Sequence, residues 1–200
     1  KTIFASRKKY KMEIKKHTDS FIKIILNPVK GWKGNSFDSL TYNNILFPFL
    51  SGILALTFFS RLIGKSLSFL SVSSIQHIMA YAVLSLLVDI AFFTIVVFAI
   101  NSLLPFYNKA KDKKRVAVLI FLSLIPFYGS MIIINLFPSL FFIGLVSVYS
   151  FVLLYWGIKE YLRIQKNKSN IFFTIAMLIL IGIYLILHFA IIYPFFEFVV

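Results

Sequence analysis

The 200-residue chain has no cysteine, which removes disulfide frameworks, thiolate metal sites and cysteine nucleophiles together. Acid is scarce as well: 7 Asp and Glu stand against 21 Lys and Arg, a formal net charge of +14. Among those acids only Asp89 falls deep in apolar sequence, so paired-carboxylate catalysis has no second partner. No Gly-x-Ser-x-Gly and no His-Glu-x-x-His occurs, and His17, His77 and His188 are too far apart for a helical zinc site. Gly64-Lys65-Ser66 resembles the end of a phosphate-binding loop, but Phe59 stands where its first glycine belongs. No catalytic residue, metal or cofactor is expected.

Polar sequence long enough for a soluble domain is missing too. The chain is 60% hydrophobic and 18% aromatic with a mean hydropathy of +0.88, more apolar surface than a water-soluble core hides. It reads as an all-α integral membrane protein. A helix rising about 1.5 Å per residue needs roughly 20 apolar residues to cross a core of about 30 Å. Five segments meet that length, at about 44–63, 79–103, 116–134, 138–157 and 171–194, behind a basic segment 1–43. The first run starts near Asn44, deeper than a signal peptide's apolar core, so it is expected to be a retained span. Because the chain opens on Lys1 rather than Met, a few preceding residues are expected to be missing.

Of the 21 basic residues, ten precede the first span, five lie between the second and third, and four between the fourth and fifth. Only Arg61 and Lys65 are left for the other side. The positive-inside rule therefore predicts a cytoplasmic N-terminus and an outside C-terminus, in a bacterial inner membrane by the chain's Lys-, Ile-, Asn- and Phe-rich composition. Trp32, Tyr42, Tyr155 and Trp156 fall at the expected inner boundary, where amphipathic rings anchor helices among headgroups. The expected partners are anionic lipid headgroups at the cytoplasmic face and other membrane proteins; nucleic acid is not expected, because the basic residues form no aromatic-bearing soluble fold.

Ile14, Phe21, Ile22 and Ile25 recur at helical spacing opposite Glu13, Lys15, Lys16, Asp19 and Lys23, predicting an amphipathic helix over 13–26. It lies either in the headgroup layer or on the protein's own cytoplasmic face. Asn27-Pro28 ends it, since proline disfavours the helical region for the residue before it.

Leu26-Asn27-Pro28 with Gly31-Trp32, Pro48 at the first span, "SLIPF" at 123–127 and "VYSFVLLYWGIKEY" at 148–161 together resemble the Yip family, the Ypt-interacting membrane proteins, in its bacterial branch. The resemblance covers about residues 20–195. It implies a five-span fold and a membrane location, and makes Asn27, Pro28 and Trp32 an interfacial motif. Eukaryotic members are implied in vesicle traffic and contact with prenylated Rab-type GTPases. Two departures stand out: bacterial relatives carry a Gly-Gly pair where this chain has "NSLLPFYNKAKDKK" before the third span, and the eukaryotic Tyr-Gly-Tyr signature is absent.

Inside the membrane, Asp89 lies near mid-span, where an acid is expensive and faces the bundle. Tyr149, Ser123, Pro126, Tyr128 and Ser130 fall at similar depth, which suggests a polar cluster of Asp89 with Tyr149 and the Ser123, Pro126 and Tyr128 bend. Asp89 is then either a protonated hydrogen-bonding link between helices or a proton or ion site. Pro126 should kink the third helix, in a static bundle or beside a transport pathway. Ser51 with Ala55, and Gly144 with Ser147, offer small faces for close packing. The leading functional expectation is an accessory or organising subunit; the alternative is a small transporter or channel using Asp89 and the Pro126 kink.

Overall fold

The computed structural model describes residues 21–33, 47–69 and 75–194. Among these residues there are helices and connections and no strand. A helical turn over 21–26 leads through Asn27 to α1 (Pro28–Lys33). The first span is α2 (Phe47–Phe69) and the second α3 (Ile75–Leu103), which tightens into a 3-10 turn at Leu104–Tyr107. The third is α4 (Lys113–Leu136). The fourth is composite: a 3-10 stretch Pro138–Val148 broken by a kink at Leu140, whose φ of −92° and ψ of 31° are not helical, then α5 (Tyr149–Trp156) and a π turn Gly157–Tyr161. The fifth, α6 (Lys166–Leu187), continues as a π turn His188–Ile192. Five helices are thus long and apolar enough to cross a membrane, Pro48–Leu67, Ile75–Tyr107, Lys113–Leu136, Pro138–Tyr161 and Lys166–Ile192. The count matches the sequence reading, with most ends shifted by a few residues. The fourth span departs further, since its first half winds as 3-10 helix rather than α.

Local chemistry explains the ends. Asn108 adopts a left-handed φ of 57° after Tyr107, a conformation asparagine tolerates, and its N–H donates back to Leu104 and Pro105 carbonyls. Asp112 then caps α4 by accepting the Arg115 N–H at 3.0 Å. The fourth span stops at Arg163, whose φ is 53°.

The third span is the hub. Val116 through Leu124 are buried without a break, so α4 is hidden on all sides there, as an apolar helix without an amphipathic stripe must be. The first, second and fourth spans pack directly on it, and the fifth lies mainly against the second. Between the first and third spans the approach is close: a Cβ on Gly64 would run into the backbone carbonyl of Asn135. Beside it Asn135 Nδ2 donates to Ser60 Oγ at 3.2 Å, and Thr57, Ser60 and Gly64 form the small-residue face. Ser51 and Ala55, expected in that role, are exposed. The second expected small face does meet a neighbour, for Ser147 Oγ lies 2.6 Å from Ser130 Oγ of the third span. Gly64→Ala is expected to destabilise the protein by about 1–3 kcal/mol. Gly52→Ala, where a Cβ meets nothing within 4 Å, should leave stability about unchanged; thermal unfolding of both in detergent checks the contrast.

Residues 21–33 dock into the bundle. Phe21 stacks edge-on to Phe49 with centroids 5.0 Å apart, Ile24 is fully buried, and Tyr149 Oη donates to the Ile25 carbonyl at 2.7 Å. Asn27 separates the two helical pieces, its Oδ1 accepting the Lys30 N–H at 3.2 Å. The buried face is Phe21 and Ile24, whereas Ile22, assigned to the apolar side, is 48% exposed. The part of the expected 13–26 helix before residue 21 lies outside the described residues, as does Tyr42.

Candidate functional site: a buried ion pair and an apolar cavity

Asp89 is buried on the second span, roughly 20 Å along the helix from Ile75. A carboxylate at such depth needs a partner, and the structure supplies one that charge counting assigns to a loop. Arg61, on the first span, meets it bidentately: Nη1 lies 2.5 Å from Oδ2 and Nη2 lies 3.3 Å from Oδ1. The two side chains are only 14% and 9% exposed. The planar guanidinium fork matches a carboxylate, which favours Arg over Lys for a buried pair.

The Tyr128 and Tyr184 phenols lie within electrostatic reach of Asp89 and Arg61. Tyr128 is buried, and its hydroxyl finds no hydrogen-bond partner among the described residues. Of the expected cluster only Tyr128 thus lies near Asp89, whose direct partner is Arg61. Tyr149 does not join it, because its hydroxyl points to residues 21–33 instead and donates to the Ile25 carbonyl. Ser123 is buried without a hydrogen-bond partner among the described residues, and lies among residues of the second, fourth and fifth spans that line one cavity. Pro126 sits inside α4, which continues as helix through it. The neighbouring Phe127 N–H donates to Ser150 Oγ of the fourth span at 3.1 Å, so a side chain from outside serves the backbone beside the proline.

Beside this cluster lies a partly open cavity of about 200 Å³. Its wall comes from four spans: Phe92, Leu124, Phe127, Phe151, Leu180 and Tyr184 are characteristic. No polar atom contributes to that wall, although Ser123, Ser147 and Ser150 border it. For two of them the reason is visible, since Ser150 accepts from Phe127 and Ser147 shares a hydrogen bond with Ser130. Tyr184 joins cavity and ion pair, its ring centroid 5.5 Å from Phe127 and 5.9 Å from Phe92. Exposed Val148 and Ile181 on the rim put the opening between the fourth and fifth spans.

No family model, curated protein or solved structure matches the chain. The chemistry of the site has to be read from its own residues.

The expected inner-boundary anchors divide. Trp32 is 2% exposed, its ring 5.4 Å from Tyr161 and packed against Gly157, where a Cβ would come within 3.1 Å of the indole. It is a core residue rather than a headgroup anchor. Trp156 and Tyr155 are half-buried and share the Lys159 ammonium, 5.4 Å and 5.1 Å from their rings. At the same end Arg115 lies over Tyr161 at 5.7 Å and Lys33 comes within 3.9 Å of Glu160. Residues 21–33, the start of the third span and the end of the fourth therefore meet at one basic end of the bundle.

Proposed function

We propose that this chain is a non-enzymatic multi-pass protein of a bacterial inner membrane, of the Yip family, acting as an accessory or organising subunit that binds lipids and other membrane proteins. Its basic end, with the N-terminal segment, faces the cytoplasm, and its C-terminus lies outside. The observation that carries the reading is the pairing of Arg61 with Asp89: the strongest charges inside the bundle satisfy each other, leaving an apolar cavity as the binding feature. With Arg61 committed to the bundle interior, the charge asymmetry that supports this orientation becomes steeper. Docking of residues 21–33 onto the fourth span supports the family motif as a clasp at the cytoplasmic end.

A small transporter or channel using Asp89 is the second reading, favoured by the unpartnered Tyr128 hydroxyl near the pair. The bidentate partner on Asp89 weighs against it, because an ion or proton would have to displace a guanidinium.

Purification of the tagged protein in native nanodiscs, with mass spectrometry of everything bound, tests the assignment. A stoichiometric membrane-protein or lipid companion is expected. A bare protein that conducts ions or solutes in liposomes, with flux lost in Asp89→Asn, would replace it with the transporter.

A further inference from the structure

The cavity and the cation-bearing helix ends share the third, fourth and fifth spans. The third span, which lines the cavity through Leu124 and Phe127, begins at Lys113, Lys114 and Arg115. On the fourth, Ser150 and Phe151 border the cavity and Lys159 lies toward the basic end. The fifth lines it through Leu180 and starts at Lys166 and Lys168. At about 1.5 Å per residue these cations stand roughly 12–21 Å along the helices from the cavity wall. One leaflet of the hydrocarbon core is about 15 Å deep, half of the whole. A lipid whose headgroup rests among those cations therefore brings the end of its acyl chain to the depth of the cavity.

We propose that the cavity holds the acyl-chain terminus of an anionic glycerophospholipid whose phosphate sits by Lys159 and Lys166, where the end of the fourth span meets the start of the fifth. This rests on the lipid-binding reading above and narrows it to one chemical class and one place. The wall presents only carbon, which suits an alkyl chain and offers no hydrogen bond to a polar solute. The opening between the fourth and fifth spans, past Val148 and Ile181, faces the surrounding bilayer, so a chain enters sideways without crossing a polar barrier. The cations supply the selection for negative charge.

The test uses the full chain in nanodiscs containing phosphatidylglycerol with a photoactivatable diazirine near the end of one acyl chain. Mass spectrometry then maps the labelled residues. Labelling at Phe127, Phe151 and Leu180 is expected to exceed that at the outward-facing Leu145 and Ile186 by about tenfold. Ile181→Trp and Val148→Trp, each filling the mouth from the exposed side, should lower cavity labelling by a similar factor. Even labelling of cavity and outer faces overturns the proposal, as does unchanged labelling in folded Trp variants. The native chain's map alone decides if both variants fail to fold. Equal cavity labelling by phosphatidylcholine carrying the same chain overturns the choice of an anionic lipid. A protein partner recovered in native nanodiscs alongside an unlabelled cavity sinks this proposal and leaves the accessory-subunit reading standing. Absence of any bound companion sinks that reading instead.

Discussion

Replacing Arg61 alone with Leu is expected to destabilise the protein by about 3–5 kcal/mol, because it leaves the Asp89 carboxylate buried without its partner. Asp89→Leu alone should do similar damage by stranding the guanidinium. The double variant Arg61→Leu with Asp89→Leu removes both charges and their desolvation cost, and should recover most of the loss. Thermal unfolding in detergent measures all three, and the coupling in the resulting cycle isolates the pair. The contacts that frame this expectation are two hydrogen bonds between side chains less than a sixth exposed, joining the first and second spans. Two single variants as stable as the native chain would show that the pair holds nothing together. A double variant no better than the singles would point instead to a separate requirement for one of the charges.

The second large effect is expected at Trp32. Truncation to Ala removes an indole that is 2% exposed and lies against Tyr161 and Gly157, and should cost about 3–5 kcal/mol. Trp156→Ala is the matched comparison, since that ring is half-buried beside Lys159 and should lose much less. A headgroup anchor and a core residue answer differently to this pair of variants. If both changes were equally mild, Trp32 would be an interfacial ring after all. Indole fluorescence quenching by aqueous iodide, comparing the two single-Trp proteins, separates the two cases without unfolding: a core ring is shielded and an interfacial one is quenched.

These two residues also show how far the sequence was legible. Five apolar runs of sufficient length announced five helices because a bilayer-crossing backbone must satisfy its own hydrogen bonds, a constraint any single chain carries on its face. Asp89 was visible for the same reason: an acid in apolar sequence is costly enough to stand out. Its partner was not, since Arg61 lies near the end of its run and a cation there reads equally well as a loop charge. Two lone opposite charges on consecutive antiparallel spans were the available signal. Trp32 misled in the opposite way, because tryptophan among lysines before an apolar run has the composition of an interface. Its burial depends on Gly157, about 125 residues away in sequence, leaving room for the ring. Tyr149 was drawn toward Asp89 by depth arithmetic alone, which fixes height along a helix and says nothing of the direction a side chain faces.

The winding of the fourth span bears on the bilayer itself. The third and fourth spans contain 24 residues each. Residues 141–148 of the fourth, however, after the kink at Leu140, are wound as 3-10 helix, which rises about 2.0 Å per residue where an α-helix rises about 1.5 Å. That portion alone reaches roughly 4 Å further than the same residues would as α-helix. Two segments of equal residue count therefore differ in length, less what the wider π turn Gly157–Tyr161 gives back. A hydrocarbon slab matched to the third leaves the fourth overlong, so the fourth must lean or the lipid beside Phe141, Phe142 and Leu145 must thicken to cover it.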